Sequence, residues 1–316
     1  FDRVWAISSI IMNMTNPQTL SGVYAAAVTP IQSDGSPDAE GINALLEFLA
    51  NRGCHGVLIL GTTGEGPSFS PTERAQIFKA AASARQSHPS LRLFAGTGTP
   101  SLDETIHLTR LAFSLGFDGT VVLPPYYFRK VSDDGLFAWF DSLIKQAVPS
   151  DGVLLGYHIP PITGVGFSLD LLSRLKDAHP DCFAGIKDSS GDPEFARQLG
   201  QRFGKELFVL TGNDRLFSLA LQSNASGCIT AMANLLSPGL RQLWDAHQSG
   251  TPYTSLQETL STARSILDRY PPMPPLLKTL LHTLHNLPLW PVKPPLMPLS
   301  EDLIESIGIA LESSRS

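Results

Sequence analysis

A closed (β/α)8 TIM barrel followed by a C-terminal helical extension is the fold this sequence predicts, on three observations. Eight short apolar runs recur between residues 22 and 230, amphipathic segments at helical spacing separate them, and a length of 316 residues suits a barrel of this kind. Strands that are apolar throughout, parted by helices, imply a parallel sheet covered on its outer face. An open doubly wound sheet is the competing arrangement. Against it, no G-x-G-x-x-G follows the first run and no phosphate-loop lysine motif occurs.

Residues 1–21 read as an N-terminal extension without function, non-native up to a start at Met12 or Met14. The barrel is expected over residues 22–250. Its strands are "GVYAAAVT" (22–29), "GVLIL" (56–60), "RLFAG" (92–96), "GTVVL" (119–123), "VLLGY" (153–157), "CFAGIK" (182–187), "LFVLT" (207–211) and "SGCIT" (226–230). Helices are expected at "AEGINALLEFLANRG", at "SPTERAQIFKAAASARQSH", which opens on a serine cap with proline in its first turn, and at "SLDETIHLTRLAFSLG", where "SLDE" reads as a capping box. "AMANLLSPGLRQLWDAHQSG" gives the eighth helix. Residues 251–316 differ in composition, with helix patterns broken by "YPPMPPLLK" and "LPLWPVKPPLMPLS". The prolines set helix starts and rigid corners, and Leu276 to Leu287 is too apolar to stay solvated, so a packed helical extension is expected.

The chain carries a net charge of −6, which leaves no broad basic face for nucleic acid or an anionic membrane. No apolar stretch reaches the ~18 residues that a membrane span needs. Cys54, Cys182 and Cys228 form no C-x-x-C pair; they read as buried thiols in a reducing, cytoplasmic setting. His282 and His285 share a helical face but have no third ligand nearby, so no metal site is expected.

In such a barrel the chemistry lies at the carboxyl ends of the strands. Those ends here carry "GTTGEG" (61–66), "PPYYF" (124–128), "YHIPPITG" (157–164) and Lys187 in "AGIKDSSGD" (184–192). A lysine closing a buried strand is costly unless something uses it. As a nucleophile it must lose its proton, which burial or a nearby cation would promote; the alternative is a lysine that snorkels or pairs with Asp188. Tyr157 ends the preceding strand at the same height and can move protons, or serve only as a core tyrosine with a satisfied hydroxyl. Thr62 and Thr63 offer hydroxyls and amides to a carboxylate or a phenol, and the glycines around them let the backbone approach a ligand.

Taken together, "GTTGEG", "PPYYF", "YHIPPITG", "GIKDSSGD", "LTGND" and "GCITAMAN" resemble, in order, the dihydrodipicolinate synthase and N-acetylneuraminate lyase family of pyruvate-dependent class I aldolases, over about residues 22–300. The resemblance implies that Lys187 forms a Schiff base with a 2-oxo acid and that Tyr157 shuttles protons over it. It implies that Thr62 and Thr63 hold the pyruvyl carboxylate through their amides, with the Thr63 hydroxyl linking Tyr157 to Tyr127. Gly212 and Ile229 would line the pocket through their backbone. Tyr127 reaches into a neighbouring subunit's site in such enzymes, which implies a homo-oligomer, a dimer or commonly a tetramer. No metal or organic cofactor is implied.

One departure bears on the substrate. The synthases of this family place an arginine after the fifth strand to bind the carboxylate of aspartate semialdehyde; here that place is Ile162. The reading that follows is an aldolase of the 2-keto-3-deoxy sugar acid or 4-hydroxy-2-oxoglutarate type, cleaving a hydroxylated 2-oxo acid to pyruvate and an aldehyde. A synthase acting on aspartate semialdehyde is the alternative, with Arg129 as a substitute charge. A non-catalytic 2-oxo-acid-binding relative is a second alternative, opposed by the joint presence of Lys187, Tyr157, Thr63 and Tyr127. His158 stands where asparagine is frequent, a change the sequence does not interpret.

Overall fold

The computed structural model describes residues 20–313, with side-chain detail to residue 307, so the N-terminal extension expected at 1–21 lies almost wholly outside the described residues. Eight parallel strands, β1 (Gly22–Ala26), β2 (Gly56–Ile59), β3 (Arg92–Gly96), β4 (Gly119–Val122), β5 (Leu154–His158), β6 (Phe183–Asp188), β7 (Phe208–Thr211) and β8 (Gly227–Thr230), pair in sequence order, and β8 closes on β1. Each expected run holds one strand, shifted by a residue at β5 and β6. The outer helices are α1 (Ala39–Asn51), α2 (Pro71–Ala84), α3 (Leu102–Ser114), α4 (Asp133–Ala147), the single turn α5 (Pro160–Thr163), α6 (Leu169–Ala178), α7 (Pro193–Phe203), α8 (Phe217–Gln222) and α9 (Ala233–Ser249).

Alternation along the strands sorts the core into layers. Tyr24, Leu58, Phe94, Val121, Leu155, Phe208, Leu210 and Ile229 fill the barrel, while their strand neighbours pack outward against the helices. Leu20 is 5% exposed and packs into the interior set, and Tyr24 Oη donates to its carbonyl at 2.7 Å. The helix starts follow their cap residues. Ser70 accepts from Glu73 N and Glu73 reaches back to Ser70 N, a reciprocal box with proline in the first turn. At "SLDE" only half of the expected box forms: Ser101 accepts from Glu104 N at 3.3 Å, and Ser101 N turns instead to the Thr99 hydroxyl. Helix α9 bends at Leu236, two residues before Pro238, whose ring excludes a regular preceding turn.

Three further helices follow the barrel: α10 (Thr254–Leu267), α11 (Met273–His285) and α12 (Glu301–Ser313). Pro274 to Leu281 of α11 are all buried, and Trp290 beyond them donates to Asp38 Oδ2, the cap of α1. The extension is therefore tied to the barrel by both apolar area and specific bonds. Cys54, Cys182 and Cys228 are unpaired; Cys54 and Cys228 are buried as expected, whereas Cys182 is only partly buried, and burial raises all three thiols, Cys54 to about 11. No helix among the described residues is long and apolar enough to cross a membrane.

Candidate active site

Lys187 and Tyr157 are register partners on β6 and β5, so the parallel pairing itself sets them side by side at the carboxyl end of the barrel. Both are buried, at 2% and 4% exposure, and the Lys187 amine nitrogen lies over the tyrosine ring, 4.0 Å from its centroid. Successive strand residues face opposite ways, so Asp188 points away from Lys187 and its carboxylate accepts from Ser190 N at 2.9 Å. The lysine is thus turned toward the tyrosine rather than toward the neighbouring aspartate.

Tyr157 Oη is within 3.1 Å of the Thr62 hydroxyl. This corrects the sequence reading, in which Thr63 supplied that hydroxyl. The reason is local: Leu58 faces the barrel interior, but Leu60 takes a left-handed φ of 58°, so strand parity fails just before the two threonines. Glu65 repeats the left-handed turn at φ 56°, and a Cβ on Gly66 would sit 2.2 Å from Leu60 O, so only glycine lets the loop fold back on itself. Burial alone would raise the Tyr157 phenol. The charge of Lys187 and hydrogen bonds from Thr62, Lys187 and Ser189 outweigh it, and the phenol lies below its ordinary value.

A cleft of about 800 Å³ opens above these groups, and Thr62, Thr63, Tyr157, Ile162, Lys187, Gly212 and Ile229 all line it. Gly212 N donates to Asp188 O at 2.6 Å, and a Cβ there would collide with Ser189 Oγ at 1.9 Å, which accounts for glycine where β7 turns into the cleft. Tyr127 is not brought to this site. It is 76% exposed in the loop after β4, with its ring edge-on to Phe128. Arg129 packs beside Gly164 and does not line the cleft. His158 has a structural explanation: its Nδ1 accepts from Phe167 N at 2.8 Å and its ring stacks on Phe195 at 4.5 Å.

The sequence reading missed several lining residues. Ser189 sits two positions after Lys187 inside a quoted motif, so it was within reach. Arg264, Met273 and Leu296 come from the C-terminal extension, and nothing local in the sequence connects them to the barrel mouth. Glu65 also lines the cleft. Its carboxylate accepts from Lys278 Nζ at 2.6 Å and from Lys293 N at 2.9 Å, which fastens the "GTTGEG" loop to α11 and to the segment after it. No group of three or more His, Cys, Asp or Glu arranged to hold a metal occurs among the described residues.

A match to the family model described as the dihydrodipicolinate synthetase family spans residues 19–313. The chain belongs to that family. It is 38% identical over 292 residues to an uncharacterised DapA-like lyase of Chloroflexus aurantiacus, covering 92% of this chain and 96% of that protein. It is 30% identical over 302 residues to a 4-hydroxy-tetrahydrodipicolinate synthase of Prochlorococcus marinus, covering 92% and 95%. Among solved structures it is similar to YagE, a prophage protein of the dihydrodipicolinic acid synthase family from E. coli in complex with pyruvate, with a TM-score of 0.87, 25% identity and coverage of 94% and 99%. The chain is accordingly an enzyme, a pyruvate-dependent class I aldolase of the lyase type.

Proposed function

We propose that the enzyme cleaves, or in reverse forms, a hydroxylated 2-oxo acid, giving pyruvate and an aldehyde through a Schiff base on Lys187. The observation that carries this reading is the Lys187 amine against the buried Tyr157, whose hydroxyl is held by Thr62 at the floor of the cleft. Lys187 condenses with the ketone of the substrate, and Tyr157 gives its phenolic proton to the departing hydroxyl, which leaves as water and leaves the tyrosine as a phenolate. The iminium then draws electrons from the adjacent carbon, so the bond between the carbons α and β to it can break. The proton of the β-hydroxyl passes to Tyr157 oxygen as the aldehyde departs. The electron pair remains as an enamine, which takes a proton at the α-carbon, and hydrolysis returns pyruvate and the free lysine.

Thr63, Gly212 and Ile229 bound the same space, which supports their assignment to the pyruvyl unit. The exposure of Tyr127, Phe128 and Val131 in and beside one loop supports a homo-oligomer in which that face meets a second copy. Two observations weigh against a synthase that grips aspartate semialdehyde. Ile162 offers no cation, and the Arg264 guanidinium at the cleft is already bound by Asp214 and Asp268, both at 2.7 Å. The test is reductive trapping: borohydride added with pyruvate leaves a stable adduct that peptide mapping assigns to Lys187. Labelling of Lys176 or Lys278 instead, or of no lysine, would overturn the mechanism.

A further inference from the structure

The cleft above Lys187 is much larger than a pyruvyl unit fills, and its outer walls are apolar on two sides. Ile159, Pro161 and Ile162 come from the end of β5 and the turn after it; Pro272, Met273 and Leu296 come from the C-terminal extension. Several of the polar side chains that line the cleft are engaged within the protein. Both oxygens of the Glu65 carboxylate are taken by Lys278 and the Lys293 amide. Asn213 Oδ1 accepts from Arg215 N at 3.0 Å, and Arg264 donates to Asp214 and Asp268. Thr62 is committed to Tyr157.

We infer that the outer part of the cleft receives an apolar aldehyde fragment, so that the preferred substrate is a 4-hydroxy-2-oxo acid bearing an aryl-sized apolar group rather than a polyhydroxylated or carboxylated chain. The inference rests on the reaction proposed above and adds the class of its aldehyde. An aryl group loses nothing by leaving water for Ile162, Met273 and Leu296, and gains affinity in proportion to the apolar area it covers. A sugar-acid chain carries several hydroxyls into the same space. Each one left without a partner costs roughly 5- to 150-fold in affinity. A distal carboxylate fares no better, because the arginine at the cleft is already held by two aspartates.

The experiment compares kcat/KM for release of pyruvate from 4-hydroxy-2-oxo-4-phenylbutanoate, 2-keto-3-deoxygluconate and 4-hydroxy-2-oxoglutarate on the unmodified enzyme. The phenyl substrate is expected to lead by at least about tenfold, and Met273→Gln and Ile162→Asn are each expected to cut that lead several-fold. An equal or better rate on the sugar acid or the dicarboxylate, or no turnover of the phenyl substrate, overturns the inference. Borohydride trapping with pyruvate is run on the same preparation. A labelled Lys187 without the phenyl preference removes the inference alone, whereas an unlabelled Lys187 removes the proposed reaction itself.

Discussion

Lys278→Met tests whether the C-terminal extension holds the catalytic loop in place. Glu65 and Lys278 have side chains 0% and 1% exposed and meet at 2.6 Å, with Lys278 also donating to Pro291 O at 2.6 Å. Burial lowers the Lys278 ammonium and the Glu65 charge raises it; the net result lies below the ordinary value, so desolvation is not fully offset. Methionine is close in length and leaves little cavity, so the main loss is electrostatic. The Glu65 carboxylate keeps only the Lys293 amide and stays buried, at a cost of about 3 to 5 kcal/mol. At roughly 2 °C per kcal/mol for a chain of this size, the thermal midpoint is expected to drop by about 6 to 10 °C.

The same loop carries Thr62 three residues earlier, so loosening it displaces the hydroxyl that orients Tyr157. A shift of an ångström at such a point costs up to about 100-fold in turnover. The double variant Glu65→Gln with Lys278→Met removes both charges and is expected to recover most of the lost stability, because the cost arises from an unpaired buried anion. Urea or thermal unfolding of the two single variants and the double variant, with kcat measured on each, decides the matter. A Lys278→Met protein with an unchanged midpoint, or a double variant no more stable than Lys278→Met, would refute the reasoning.

Three other outcomes are expected. Tyr157→Phe should lower kcat by about 10²- to 10⁴-fold with the fold intact; Thr62→Val should lower it less and, by removing a bond that holds the phenol down, move the base-dependent limb of the pH profile upward, while Thr62→Ser restores it. Ile162→Arg should shift the ratio of kcat/KM toward condensation of pyruvate with aspartate semialdehyde, by up to about 10- to 150-fold if the guanidinium is well supported; no shift in a folded variant would mean that this position does not face the second substrate. Burial pulls His158 down to about 4, against a slight opposing effect of Asp192, so the unfolded chain takes up a proton first as the pH falls. The contribution of His158 is full above about pH 6.5 and lost toward pH 4, and His158→Gln should flatten the acid limb of stability measured by urea unfolding at several pH values; an identical acid limb in the variant would contradict this.

The barrel was legible because its signals are local. An apolar run such as "GVLIL" or "CFAGIK" announces a covered parallel strand, and the helices between such runs carry their own start signals at Asp38, Ser70 and Ser101. Lys187 and Tyr157 were legible for a related reason: each closes its apolar run one residue short of its strand's end, and sequential parallel pairing puts consecutive strand ends at one height. Thr62 against Thr63 was not decidable by the same rule, since the left-handed residue at Leu60 breaks the period of two on which facing depends.

What the sequence could not convey is how residues more than 200 positions apart complete the site. Lys278 pairs with Glu65 across 213 residues, and Lys293 N reaches the same carboxylate across 228. Neither contact leaves a periodic or spacing signal, because it depends on where α11 settles against the barrel mouth. That settling is driven by the buried run Pro274 to Leu281, in which a lysine at position 278 looks like a defect until its partner is known. The same docking brings Met273 and Leu296 to the cleft. One packing event therefore both fixes the loop whose Thr62 holds the Tyr157 hydroxyl and supplies an apolar wall to the cleft, so the shape of that cleft depends on this extension while Lys187 and Tyr157 stay as they are.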